Sequence, residues 1–226
     1  MGVDIHDQPH YPFGFIRADA LKTLAHIVHE PFGWHHEVAA IHASPPCQRY
    51  TVASRAHNGR ADEWPDLIGP VRELLEATGL PYVIENVPGA PLAENSTLLC
   101  GTMFDELRVL RHRLFETNWP LGQPNHPKHP LVYTRDKRKA HYGRLDEWKD
   151  YVQVTGGGNC TKAAAADAMG LPAALTKREL NEAIPPAYTE FVGARLRLHL
   201  KVPHTTHQGD EVDATPHHPD GEQPDH

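Results

Sequence analysis

A chain of 226 residues with 39% apolar side chains is long enough to bury a sizeable core. No apolar run approaches the roughly 18 residues that span a bilayer, and no secretion signal opens the sequence, so we expect a cytoplasmic protein without a membrane partner. The three cysteines are odd in number and widely spaced, which argues against a disulfide framework and a Cys-x-x-Cys metal knuckle.

The net charge of −7 is concentrated at the C-terminal end of the chain. Residues 202–226 carry six acidic side chains and neither Lys nor Arg, which leaves a charge of −1 for residues 1–201. This acidic tail is rich in His, Pro, Asp and Gly, so burial of apolar surface cannot offset its ordering entropy. We expect a disordered tail, and the net charge does not exclude a nucleic acid partner for the remainder.

Two short segments near the N-terminus are predicted to be strands that lead to acidic residues. They are Gly2-Val3-Asp4-Ile5 and Phe15-Ile16-Arg17-Ala18-Asp19. A carboxylate at a strand end suits the ribose hydroxyls of a nucleoside cofactor, although either acid is also an ordinary helix cap or turn residue. The apolar spacing from Ala20 to His29 predicts a helix directly afterwards.

Two further apolar runs lead to reactive side chains. Ala39-Ala40-Ile41 precedes the stretch that contains Cys47, and Pro81-Tyr82-Val83-Ile84 precedes Glu85. Short runs of this kind are typical of buried strands in a parallel sheet, whose carboxyl ends gather reactive groups. Because a helix predicted over Asp66–Thr78 connects the two runs, we expect adjacent strands that direct Cys47 and Glu85 into one crevice.

Near the C-terminal end, two patterns predict where helices begin. Thr176 and Glu179 have the spacing of a capping box. Pro186 suits the first position of a last helix that extends to Leu200.

The motifs at the two reactive strand ends resemble those of the DNA (cytosine-5)-methyltransferase family. Pro46-Cys47-Gln48 is similar to the family's fourth motif, and Glu85-Asn86-Val87 is similar to its sixth. Segments similar to the eighth, ninth and tenth motifs are Leu110–Phe115, Ala168–Gly170 and Glu182–Pro186. The resemblance extends over about residues 2–200 and is greatest to the compact phage and prophage members.

This resemblance implies an α/β fold, the Rossmann-like fold of S-adenosylmethionine-dependent methyltransferases. It divides the chain into a catalytic core (1–117), a short target-recognition region (118–160), C-terminal helices that complete the core (161–201) and the tail (202–226). The family's first motif, a strand leading into a Phe-x-Gly-x-Gly turn, has no counterpart here, so the predicted core is incomplete at its N-terminus. A start codon assigned too far downstream is the favoured explanation; a separate chain supplying this motif and a degenerate product are the alternatives.

The resemblance also implies a reaction, in which a methyl group passes from S-adenosylmethionine to C5 of a cytosine flipped out of double-stranded DNA. Cys47 would add to C6 of the base, and Glu85 would hydrogen-bond N3 from a desolvated pocket that raises its pKa. Arg113 would hold the base's O2, and Arg111 would orient the carboxylate. Because an ordinary thiol is mostly protonated at neutral pH, we expect the site to favour the thiolate, with the arginines as one source of that field.

The other predicted site residues form two groups. Those predicted to bind the cofactor are Asp4, Ile5, Asp19, Ala20 and Pro46. Those predicted to bind the substrate are Gln48, Asn86, Arg49 and Arg55. Both arginines belong to a loop between the reactive cysteine and the next helix, which in the family closes over the flipped base; a merely solvated loop is the alternative.

The predicted recognition region mixes basic and aromatic side chains. Its basic cluster is Arg135–Lys139, and aromatic residues at 133, 142 and 148 suit base stacking, although a solvated charged face explains the cluster equally well. Three histidines, His126, His129 and His141, lie in the sequence before Cys160. Their spacing fits no standard ligand pattern, so no metal site is predicted.

Two other functions remain open from the sequence. A catalytically inactive DNA-binding remnant, or one subunit of a split enzyme, fits a chain that lacks a cofactor motif. Amino-methyltransferases use a Ser-Pro-Pro-aromatic sequence, but Cys47 replaces the aromatic ring here. RNA or a free nucleotide is an alternative to DNA as the substrate, and we expect the protein to be a monomer.

Overall fold

The computed structural model describes residues 1–29, 38–51, 60–129, 151–154 and 160–201. Three sets of predictions lie outside these residues: those for the acidic tail, for the basic cluster of the recognition region, and for Arg55. Within them, the chain is a mixed α/β protein, and none of its helices has the length and apolarity that crossing a membrane requires.

Six short strands form two separate sheets in the described ranges. They are β1 (Gly2–Asp4), β2 (Phe15–Arg17), β3 (Ile41–Ala43), β4 (Tyr82–Asn86), β5 (Thr97–Leu99) and β6 (Arg113–Thr117). β1 and β2 pair in parallel, and the larger sheet has the order β3-β4-β6-β5. β3 and β4 are parallel, whereas β6 is antiparallel to both of its neighbours. The strands that were expected to lead to Cys47 and Glu85 are therefore adjacent and parallel.

Within the described residues, five α-helices accompany the strands. They are α1 (Ala20–His29), α2 (Ile68–Ala77), α3 (Lys162–Met169), α4 (Lys177–Glu182) and α5 (Pro186–Lys201). The predicted capping box is confirmed, because the Thr176 side chain and the Glu179 side chain each accept a hydrogen bond from the other's backbone N–H. The first and last helices also begin where the sequence predicts, at Ala20 and Pro186.

β4 is buried along its whole length because hydrophobic clusters cover both of its faces. Val83 belongs to a large cluster formed with the C-terminal helices, which includes Met169 and Tyr188. Ile84 belongs to a smaller cluster with Leu24 of α1 and side chains of α2. Since alternate residues of a strand face opposite sides, Glu85 lies on the same face as Val83.

The prediction that the strand before Cys47 is buried was wrong. β3 is only partly buried and its middle residue, His42, is exposed. β3 pairs with β4 on one side and, in the part of the chain that the structure describes, with no strand on the other. A strand at a sheet edge exposes one flank, so its apolar sequence does not guarantee burial.

The two sheets are connected by helix packing. α1 contacts both β1 and α2, while β1 and β3 share no hydrogen-bonded ladder within the described residues. The small sheet is poorly covered, and Ile5 and Phe13 beside it are 58% and 69% exposed. The N-terminal region is therefore the least buried part of the described fold.

The predicted recognition region returns to the core at both ends. Trp119, Leu121 and Val154 are members of the large hydrophobic cluster. Val152 forms a parallel bridge with Val109, just before β6. The described ends of this region are thus packed against the same sheet that positions Glu85.

Candidate active site

The turn that carries Cys47 is held from two directions. Cys47 precedes a 3₁₀ turn, in which the backbone N–H of Tyr50 donates to the Cys47 carbonyl at 2.9 Å. The buried Tyr50 donates its hydroxyl to Asp66 at 2.5 Å. From the other side, the Asn86 amide donates to the Pro45 carbonyl at 2.9 Å. The position of Cys47 relative to β4 is therefore fixed by contacts within the protein.

Asn86 contributes to the site by positioning other residues. Its Nδ2 bonds to Pro45, and its Oδ1 accepts the backbone N–H of Val87 at 2.9 Å. The residue is 1% exposed. The substrate contact predicted for Asn86 stays a prediction, whereas these bonds show how Asn86 fixes the turn before Cys47. Sequence reasoning missed this positioning role, although the Asn-Val pair after Glu85 marks the residue.

Glu85 is the buried carboxylate of the site, and Arg113 is its partner. In the antiparallel register, Glu85 lies opposite Phe115, so Arg113, two residues away on β6, projects from the same face. The Arg113 Nε lies 2.8 Å from Glu85 Oε1, and both side chains are largely buried. Burial raises the pKa of Glu85 despite the opposing charge of Arg113, as the resemblance led us to expect.

The expectation that the site favours the Cys47 thiolate was wrong for the protein without ligands. Cys47 is partly buried, and this burial raises its pKa more than the nearby positive charge of Arg113 lowers it. Glu85 raises this pKa further, and Arg111 opposes the increase weakly. The arginines are close enough to act on the sulfur, but the thiol remains the favoured form at neutral pH.

Arg111 anchors the segment before β6 to the C-terminal part of the chain. Its Nη1 donates to the Val154 carbonyl at 2.7 Å and its Nη2 to the Asn181 carbonyl at 2.5 Å. The hydroxyl of Tyr188 donates to the backbone carbonyl of Arg111 at 2.6 Å. Burial lowers the pKa of Arg111 to about 10, so the guanidinium still carries its charge at neutral pH.

The assignment of the two arginines by resemblance needs a correction. Arg113 contacts the Glu85 carboxylate directly, whereas Arg111 was predicted to orient it. The physical reason is that both terminal nitrogens of Arg111 are already hydrogen-bonded to backbone carbonyls. In this structure Arg111 acts on Glu85 through its charge alone.

Unpaired polar atoms are concentrated at the site. Of the five buried side-chain polar atoms without a hydrogen-bond partner in the described ranges, three are Gln48 Oε1, Glu85 Oε1 and Arg111 Nε. Glu85 Oε1 nevertheless lies 2.8 Å from the Arg113 Nε in an ion pair, so this atom has a partner. Because buried polar groups are almost always paired, the Gln48 acceptor and the Arg111 donor can be completed by the polar edge of a ligand.

Arg49 is committed to contacts within the protein. Its Nη1 donates to the Trp64 carbonyl at 2.8 Å, and its Nη2 lies 3.2 Å from Asp62. Its Nε lies 3.9 Å from Asp66. A phosphate contact from Arg49 would require these bonds to break. Arg55, the other predicted loop arginine, lies outside the described residues.

In the described structure, the carboxylate of Asp4, which is predicted to bind the cofactor at the end of β1, makes only short-range hydrogen bonds. Asp4 accepts a hydrogen bond from the backbone N–H of His6 at 2.8 Å and one from the Gln8 amide at 3.2 Å. Ile5, which follows it, is exposed. These bonds form a local turn, the alternative that the sequence left open for Asp4.

Asp19 caps the first helix. Its Oδ1 accepts the backbone N–H groups of Leu21 at 2.9 Å and Lys22 at 3.2 Å, which are otherwise unpaired at a helix start. Ala20 and Pro46, the other predicted cofactor residues, are exposed. The cofactor roles of all five residues stay predictions, and the geometry accounts for Asp4 and Asp19 without a ligand.

A second group of reactive side chains lies next to the site, and the sequence reasoning missed it. His126 and His129 are close to Cys100 and His112, while Cys160 is not part of this group. The short spacing of His126 and His129 was visible in the sequence, but the wrong cysteine was considered as their partner.

No protein-family model matches this sequence, and no curated protein matches it significantly. The functional assignment therefore depends on the motifs and on the geometry described above.

Proposed function

We propose that this chain is the catalytic part of an S-adenosylmethionine-dependent DNA (cytosine-5)-methyltransferase with a Rossmann-like core. One observation carries the proposal. Cys47 follows β3 and Glu85 belongs to the adjacent parallel strand β4, and buried unpaired atoms of Gln48 and Arg111 accompany them. A nucleophile, an acid and unpaired hydrogen-bonding groups are the parts that addition to a pyrimidine ring requires.

The reaction begins with addition of Cys47 to the flipped base. The thiol gives its proton to solvent water, a bond forms between Sγ and C6, and N3 receives a proton from Glu85. The electron pair of the C5–C6 double bond then makes C5 an enamine-like carbon. The raised pKa of Glu85 supports this role, because a carboxyl group must carry a proton in order to donate one.

The raised pKa of Cys47 implies that the base itself helps to activate the thiol. When Glu85 transfers its proton to N3, the carboxylate would remain paired with Arg113, and the positive charge of Arg111 would act on the sulfur. Binding of the base would also exclude water, which strengthens these charge interactions. The thiolate would therefore form in the bound complex rather than in the free protein.

S-adenosylmethionine, when bound, supplies an electrophilic methyl group for C5. Removal of the C5 proton by a base, expulsion of the Cys47 thiolate and return of the N3 proton to Glu85 then restore the aromatic ring. The described residues fit this cofactor only in part. Asp4 and Asp19 suit its ribose and adenine end, but the sequence contains no Phe-x-Gly-x-Gly turn for its methionine end.

Isothermal titration tests the cofactor half of the proposal. We expect this chain to bind S-adenosylmethionine weakly or not at all, and a longer chain with a Phe-x-Gly-x-Gly strand to bind it tightly. Tight binding by the shorter chain would show that the present residues suffice and would refute the expected need for the first motif.

Covalent trapping tests the function. A DNA duplex containing 5-fluorocytosine blocks the last elimination, because fluorine replaces the proton that must leave from C5. With S-adenosylmethionine and the chain that binds it, we expect a covalent protein–DNA adduct in mass spectrometry. Cys47→Ser should abolish this adduct, whereas Cys160→Ser, the matched control, should retain it. Binding of the duplex without an adduct would reject the enzyme and support a DNA-binding protein.

A further inference from the structure

Four side chains converge beside the candidate active site, at the edge of the larger sheet. Cys100 follows β5 and His112 precedes β6, and the antiparallel register that pairs Leu99 with Arg113 continues to bring Cys100 beside His112. His126 and His129 come from the segment after β6. One ligand atom from each of the four residues lies within 4.8 Å of the others.

The distances suit a small ion at the centre of the group. Cys100 Sγ lies 3.1 Å from His129 Nε2, and His112 Nε2 lies 3.1 Å from His126 Nε2. A tetrahedral zinc ion, with Zn–N of about 2.0 Å and Zn–S of about 2.3 Å, separates its donor atoms by about 3.3–3.6 Å. To complete such a shell, the two pairs at 3.1 Å would lengthen by a few tenths of an ångström. The wider pairs, all within 4.8 Å, would shorten by more.

The donor types select the metal. One thiolate and three imidazoles suit zinc, whereas magnesium and calcium require oxygen ligands. Cys100 is fully buried and the three histidines are partly buried, so the thiol is shielded from water and the imidazoles are partly shielded. Four protein donors leave no open coordination position, which is typical of a structural site rather than a catalytic one.

A hydrogen-bonded group without metal is the competing explanation. In that case Cys100 pairs with His129 and His112 pairs with His126, through one proton in each pair. Pairwise bonding requires no common centre, yet the His112 ring stacks on both His126 and His129 at centroid distances of 5.3 and 4.7 Å. All four donor atoms also lie within 4.8 Å of one another, which two separate hydrogen-bonded pairs do not require.

We propose that Cys100, His112, His126 and His129 form a structural zinc site. The ion would attach the segment after β6 to the end of the sheet. It would also fix the backbone before Arg113, whose Nη1 donates to the His112 carbonyl at 2.8 Å. The inference is independent of the proposed methyl transfer, because it depends on the donor group alone.

Metal analysis and cobalt substitution test the proposal on the full chain. We expect about one zinc ion per chain after purification with zinc supplied. Cobalt(II) added to the metal-free protein should give the intense visible bands of tetrahedral cobalt and a near-ultraviolet thiolate-to-cobalt band. Histidines after Lys201 can bind metal through nitrogen alone, so metal held there produces no thiolate band.

Variants then identify the ligands. Cys100→Ser should remove the thiolate band, and His126→Gln should lower bound zinc to background. The matched controls Cys160→Ser and His26→Gln should behave as the original chain does. If Cys100→Ser fails to fold, the cobalt spectrum of the unaltered chain still decides. Absence of a thiolate band in that spectrum, or its persistence in a folded Cys100→Ser protein, would overturn the proposal.

Discussion

The carboxyl ends of β4 and β1 carry acidic side chains that are held in different ways. At β4, Glu85 is 7% exposed and its neighbours Arg113 and Asn86 bind residues from distant parts of the chain. At β1, Asp4 is partly exposed and its carboxylate bonds to residues two and four positions away. One end is built by tertiary structure, and the other is built by a local turn.

This difference separates the two halves of the proposed reaction. The groups that would add to cytosine are positioned without a ligand, because the sheet register and buried hydrogen bonds fix them. The groups that would hold the methyl donor are explained by a turn and a helix cap alone. The chemistry on the base is therefore expected to be separable from transfer of the methyl group.

The largest expected effect is on hydrogen exchange at cytosine C5, without any methyl donor. Reversible addition of Cys47 makes C5 basic, so its hydrogen exchanges with deuterium from the solvent before the thiolate leaves. Cys47→Ser should abolish this exchange, and Glu85→Gln should slow it by about 10²–10⁴-fold through loss of acid catalysis. The readout is mass spectrometry of DNA cytosine in heavy water, with Cys160→Ser as the unaffected control. Exchange that survives Cys47→Ser would show that it does not depend on addition of Cys47 to the base.

The next effect concerns the stability of the region around the larger sheet. Arg72 donates twice to Glu116 of β6, at 2.6 and 2.8 Å, and the Glu116 side chain is 4% exposed. Arg72→Ala leaves a buried carboxylate with its main partner missing, which should cost about 3–5 kcal/mol of unfolding free energy in urea titrations. Arg178→Ala removes an exposed pair with Glu182 and should cost about 0.3–0.5 kcal/mol. Equal losses of unfolding free energy in the two variants would show that burial of the Arg72–Glu116 pair contributes nothing to the effect.

A smaller effect is expected at the N-terminal region, from the cap of α1. Asp19→Ala removes the acceptor for two backbone N–H groups and should lower the unfolding free energy by about 1 kcal/mol. Asp19→Asn retains a capping oxygen and should lose much less. A full loss in the Asn variant would instead assign the stabilisation to the negative charge of Asp19.

The sequence was sufficient for elements whose signals are local. The capping box at Thr176, the start of α5 at Pro186 and the whole of α1 depend on neighbouring residues and were predicted at the observed positions. The adjacency of β3 and β4 also followed, because two short apolar runs joined by a helix favour parallel neighbours.

Features that depend on distant contacts could not be predicted. Which arginine contacts Glu85 is decided by carbonyls 43 and 70 residues from Arg111, which occupy its guanidinium. The direction of the Cys47 pKa shift depends on how deeply the sulfur is buried. The convergence of Cys100 and His112 requires the β5–β6 register, which neither segment encodes alone.

The smallest effect is a difference in pH dependence between two buried glutamates on adjacent strands. Burial raises the pKa of Glu85, so the folded state holds this proton more tightly than the unfolded chain does. Stability from this group is therefore present below the ordinary Glu pKa and is lost as the pH rises through the folded value. Glu85→Gln should flatten this decline and leave the protein at least as stable at neutral pH.

Glu116 is the matched comparison because its shift has the opposite sign. Burial would raise its pKa, but hydrogen bonds from Arg72 and from the backbone N–H of Ala93 lower it overall. Its stabilisation is present above the ordinary Glu pKa and is lost as the pH falls through the folded value. Glu116→Gln should therefore weaken the protein at neutral pH and have little effect in acid. Urea unfolding across this pH range separates the two cases, since equal destabilisation at neutral pH would mean that Glu85 is a structural ion rather than a carboxyl group poised to hold a proton.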